Sequence, residues 1–104
     1  MARIRCYNVT LGAAATPVDN TTSPAPGVLE IHISNTSTTA GHVVDVGLSG
    51  VATTPGLRVP VGATDSPGYR WIGAGHSGSE LCKLRDIYLK GTQNDVVQVL
   101  VVTF

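Results

Sequence analysis

The chain of 104 residues carries 7 basic and 7 acidic residues, and its charged share of 13% is about half the ~25% of an ordinary soluble domain. Its hydrophobic share of 42% is normal, so Thr, Ser, Gly and Pro stand where charge is missing. That balance excludes a charge-driven nucleic-acid or membrane-surface binder, a heptad coiled coil and a highly charged disordered chain.

The length fits a single domain spanning residues 1–104. Residues 2–11 alternate, with Ile4 and Cys6 on one face and Arg3, Arg5, Tyr7, Val9 and Leu11 on the other. They predict an N-terminal strand or arm over residues 1–12. Arg3, Arg5 and Asn8 interrupt any continuous apolar run there, so no signal peptide is predicted. The expectation is a protein made in the cytosol that stays soluble until it meets a partner. Residues 13–27 hold Pro17, Pro24 and Pro26 with Asp19 and Asn20, and read as the longest loop.

Residues 28–34 give the clearest alternation: Leu29, Ile31 and Ile33 point one way, Glu30, His32 and Ser34 the other. Residues 42–48 set Val44, Val46 and Leu48 inward and Asp45 outward. Residues 57–61 form a short strand with Leu57, Val59 and Val61 on one side. Its Pro60 cannot donate to a ladder and belongs at an edge or at the strand's exit. Residues 69–72 and 86–89 follow. Residues 91–95 read as a hairpin turn, and residues 95–104 close the chain with a β-branched run.

The segment 79–85 is the one candidate helix, but it is barely two turns long. It is read as extended, with one helical turn as the alternative. The predicted fold class is therefore all-β: a small antiparallel β-sandwich or jelly-roll-like barrel of about seven or eight short strands. Its expected core is Leu29, Ile31, Ile33, Val44, Val46, Val59, Ile87, Leu89, Val97 and Val99.

Chemistry is sought and not found. The serine in Gly-Leu-Ser-Gly-Val, residues 47–51, lacks the frame of a nucleophile elbow. His32 and His42 would face each other across a hairpin, yet two histidines fall short of the three or four ligands of a metal site. His76 sits among glycines and reads as a solvent or interface residue. The Gly-x-Gly-x-x-Gly string at 73–78 has no helix after it to bind a dinucleotide. Cys6 and Cys82 show no metal spacing and are expected as reduced thiols packed like small hydrophobes; a bridge between them is the alternative. Tyr69 and Trp71 share a strand face at i, i+2 and read as a core or interface pair, or as a small aromatic platform. No catalytic residue, cofactor, metal or small-molecule substrate is predicted.

The strings Val-Asp-Val-Gly-Leu-Ser-Gly-Val at 44–51, Thr-Pro-Gly-Leu-Arg-Val-Pro-Val-Gly at 54–62, Leu-Arg-Asp-Ile-Tyr-Leu-Lys-Gly-Thr at 84–92 and Val-Val-Gln-Val-Leu-Val at 96–101 have a shared character. Over about two thirds of its length the chain resembles small β-sandwich virion structural proteins of tailed bacteriophages. The resemblance implies a non-enzymatic capsid decoration (cement) protein on the virion surface, a homotrimer whose partner is the major capsid protein. It also implies alternatives: a head fibre, collar or tail component. A host-surface carbohydrate-binding module is the reading from another class. The residues expected to contact a partner are Arg3, Arg5, Tyr69 and Trp71.

Overall fold

Alternation buries one face of a strand, and a dense β-branched run favours the middle of a sheet. Residues 96–103 are that run, and they lie between two neighbours. The computed structural model describes residues 3–19, 21–24, 26–47, 57–63, 65–72 and 81–103. Among those residues there are nine strands: β1 (Arg3–Thr10), β2 (Thr16–Pro17), β3 (Gly27–Asn35), β4 (Val44–Gly47), β5 (Leu57–Val59), β6 (Gly68–Ile72), β7 (Cys82–Lys83), β8 (Tyr88–Lys90) and β9 (Val96–Thr103). The only helical element among them is one 3-10 turn, Leu84–Asp86.

A five-stranded sheet runs β1-β9-β3-β6, with β7 also paired to β3, and a four-stranded sheet runs β2-β8-β4-β5. Every named pair is antiparallel. The sheets close on one core, so the protein is a small β-sandwich, as the alternation predicts. Val97, Val99 and Val101 of β9 face inward from one sheet, with Ile31 and Ile33 beside them; Val44, Val46, Val59 and Leu89 come from the other. Val9, Leu11, Val18, Leu84 and Ile87 close the margins.

Several local expectations change. A bulge between Val28 and Glu30 inserts a residue, so Val28 is fully buried and Leu29, expected inside, is only half-buried. Leu57 is exposed because β5 is an edge strand, whereas Val59 beside it is buried. Pro60 follows the last residue of that edge strand, at its exit. Residues 82–83 are extended and the turn comes only at Leu84–Asp86, so the segment takes both shapes in succession.

Residues 91–95 do not form a hairpin. β8 belongs to the four-stranded sheet and β9 to the five-stranded one, so the chain crosses the sandwich there. The end of β1 captures it: Leu11 N–H donates to the Asp95 carbonyl at 2.8 Å, and Asn94 N–H donates to the Leu11 carbonyl at 2.9 Å. Asn94 takes the left-handed conformation at φ 75°, which an asparagine tolerates. The crossing also brings Gly91 close to its neighbours: a Cβ there would lie 2.8 Å from Leu11 Cδ1. For the same reason His32 and His42 do not face each other, since β3 and β4 lie in different sheets.

Candidate functional site

The parity of four strands decides what the five-stranded sheet shows to solvent. β1 turns Ile4, Cys6 and Asn8 outward, β9 turns Val96, Gln98 and Leu100, β3 turns His32 and Ser34, and β6 turns Tyr69 and Trp71. The register stacks them in rows. Cys6 faces Leu100, which faces His32, which faces Trp71. The adjacent row is Asn8, Gln98, Ser34 and Tyr69.

This face is unusually apolar for an exposed surface. Ile4 is 70% exposed, Tyr69 51%, Trp71 50% and Leu100 36%. A shallow groove of about 570 Å³ runs over it, lined among others by Cys6, Asn8, His32, Ser34, Tyr69 and Gln98. His32 Nδ1 is hydrogen-bonded to the Tyr69 hydroxyl. The two rings lie 5.9 Å apart at a tilt of 33°. Glu30 reaches the other ring nitrogen of His32 at 3.9 Å.

Tyr69 and Trp71 thus come together on one open face, as their spacing predicts. Arg3 and Arg5 do not join them. They face Thr103 and Val101 and so lie on the opposite side of β1, at the end of the sandwich. Arg3 is exposed, whereas Arg5 is half-buried and its Nε has no hydrogen-bond partner among the described residues. Residues 3–10 are paired with β9 along their whole length and form an edge strand rather than a loose arm. Among the described residues no strand pairs with the other edge of β1.

Cys6 does not pack as a small hydrophobe: the parity of β1 leaves it exposed, and it forms no bridge with Cys82. Cys82 is half-buried against the core. His42 Nδ1 pairs with Asp95 Oδ2 at 3.0 Å and ties the β3–β4 connection to the start of β9. Among the described residues no group of three or more His, Cys, Asp or Glu could hold a metal ion, and no helix is long and apolar enough to cross a membrane. The segments 47–51 and 73–78 singled out in the sequence lie, apart from Gly47, outside the described residues, as do His76 and Leu48.

The sequence alone assigns no contact to Asn8, Ser34 or Gln98. Each was legible as outward-facing from its own strand's alternation, but their meeting depends on cross-strand register. The chain matches no protein-family model, and neither a curated protein nor a solved structure matches it.

Proposed function

We propose that this chain is a non-enzymatic virion structural protein of a tailed bacteriophage, a decoration (cement) protein that binds and stabilises the assembled capsid shell. Its partners in this reading are the major capsid protein and itself, as a homotrimer at local three-fold positions. The observation that carries the proposal is the edge of β1 that pairs with no strand among the described residues: eight residues, no proline, and Arg3 and Arg5 at one end.

The parity of that edge is suited to strand addition. Leu11 N–H bonds to Asp95, so the odd positions of β1 spend their backbone groups on β9. The even positions, Ile4, Cys6, Asn8 and Thr10, therefore direct theirs at the open side. An unpaired edge of this length is a template for another strand, and burial on a repeating shell removes the liability. Two arginines beside it favour an acidic shell surface. A low-charge sandwich with a closed core can repeat many times over such a shell without self-repulsion.

The test is a particle comparison. Particles assembled without this protein are expected to form, and to burst at a lower temperature than complete ones, because a ligand that binds only the assembled shell stabilises it by mass action. Equal robustness of bare and decorated particles, or recovery of the protein only from tails, would overturn the reading.

A further inference from the structure

The groove on the outer face of the five-stranded sheet sets a row of neutral hydrogen-bonding groups among apolar side chains such as Leu100, beside two half-exposed aromatics, and we infer that it is a binding site for a neutral oligosaccharide. The inference does not rest on shell attachment, since this face is the opposite side of β1 from Arg3 and Arg5.

The hydrogen-bonding row comes first. Asn8, Gln98, Ser34 and Tyr69 sit side by side on four neighbouring strands. At ~4.8 Å between strands the row spans roughly 14 Å. Among the described residues, the side chains of Asn8, Ser34 and Gln98 make no hydrogen bond to protein. A carboxamide offers donors and an acceptor together, and a hydroxyl does both. Sugar hydroxyls are the complementary chemistry: each donates and accepts through a single oxygen, in closely spaced pairs.

The aromatics supply the other half. A pyranose has a polar rim and an apolar C–H face, and the apolar face needs a flat ring to lie on. Tyr69 and Trp71 are each half-exposed on the same side of β6. The bond from the Tyr69 hydroxyl to His32 holds that ring in place before any ligand arrives, which lowers the entropy cost of binding.

Charge separates this ligand from its rivals. The outward positions of β1, β9, β3 and β6 named above hold no Lys or Arg, and Glu30 brings a carboxylate beside His32. Phosphates and carboxylates are recognised by cations, and single-stranded nucleic acid needs a basic groove as well as aromatics. An apolar protein surface laid on this row would leave its amides unpaired, at a cost. The groove volume of about 570 Å³ lies within the ~300–1,000 Å³ usual for small-ligand sites.

Trp71 is the only tryptophan, so its emission reports on this face alone. The whole chain is titrated with maltohexaose, cellohexaose, chitohexaose and a mannan hexamer, with a heparin hexamer as the anionic control, and is applied to a printed array of neutral glycans. The expected result is a saturable shift of the emission to shorter wavelength with at least one neutral glycan and none with heparin. Asn8→Ala and Gln98→Ala should each weaken that binding roughly three- to tenfold, as loss of a single hydrogen bond does. Trp71→Ala, read by calorimetry, should weaken it about tenfold or more. Arg3→Glu with Arg5→Glu should leave it unchanged. No saturable response on the array or up to about 10 mM in solution, preference for heparin, or unaltered binding by Asn8→Ala and Gln98→Ala would each overturn the site. So would loss of shell attachment on Trp71→Ala with no glycan response, which would make this a protein contact.

Discussion

The Tyr7 hydroxyl donates to Asp19 Oδ2 at 3.2 Å and so fastens the loop after β2 to the inner side of β1. Asp19 gathers four further bonds from its own loop: the Thr21 N–H and hydroxyl, both at 2.8 Å, and the Thr22 N–H at 3.3 Å and hydroxyl at 2.6 Å. The Thr22 hydroxyl first, and then the Thr21 N–H, hold this carboxyl well below the ordinary carboxylate range. Its folded value is depressed, so its contribution is complete above the unfolded value of ~3.9 and is lost as pH falls toward the folded one. Urea midpoints should therefore be insensitive to this group from neutral pH down to about 5, and should drop below about 4. Asp19→Asn should lower the midpoint at pH 7 and flatten the acid limb.

Gly68 opens β6 opposite Asn35, and a Cβ built there would stand 1.7 Å from the Pro60 carbonyl oxygen. That obstacle is backbone, so no side chain can swing aside to relieve it. Gly68→Ala should cost about 3 kcal/mol or separate β6 from the sheet. Thermal unfolding measures the cost, and retention of wild-type stability would show that the loop after Pro60 yields freely.

Asn35 is fully buried at the end of β3. Its Nδ2 donates to the His42 carbonyl at 2.9 Å, and its Oδ1 accepts from the Ser37 N–H at 3.1 Å. Asn35→Ala leaves both backbone groups short of a partner, and should cost ~1–3 kcal/mol in a denaturant titration. Asn35→Asp keeps the acceptor and removes the donor, and it places a carboxylate beside the His42 carbonyl. It should be worse than Ala.

The bulge in β3 makes a pair of substitutions diagnostic. Val28→Ala removes fully buried methyl groups and should cost about 1–3 kcal/mol, while Leu29→Ala removes a larger but half-buried side chain and should cost less. The reverse order, in matched unfolding curves, would mean that β3 is regular.

Cys6 is exposed and Cys82 half-buried, so a thiol reagent should label one site per folded chain quickly, and that label should vanish in Cys6→Ala. Cys6→Ala should change stability by no more than ~0.5 kcal/mol. Reductant should change nothing. A rise in unfolding temperature on oxidation would reveal a bridge that this arrangement does not contain.

Alternation made the sandwich legible, because period two is a property of each strand alone. Val44, Val46, Val59, Val97 and Val99 are inside as expected, and Tyr69 and Trp71 share a face. What local pattern could not carry was membership. Nothing in residues 91–95 says that the strand before them and the strand after them belong to different sheets; that is fixed by the reach of Leu11, more than eighty residues earlier. The row of Asn8, Gln98, Ser34 and Tyr69 is hidden for the same reason, since four strands from distant parts of the chain must first fall into register. The bulge at Val28 is a third case: an apolar pair, Val28-Leu29, fits either parity until its partners on β9 choose.

The pairing of β1 with β9 has a consequence for how the protein is made. Arg3 meets Thr103 and Thr10 meets Val96, and among the described residues β1 has no other ladder partner. A contact between strands so far apart in sequence must close a long loop, and such non-local pairings slow folding. During synthesis the β9 side of β1 stays unpaired until residues 96–103 have been made. Until then that side of β1 is an open strand edge of the kind that promotes association between incomplete chains.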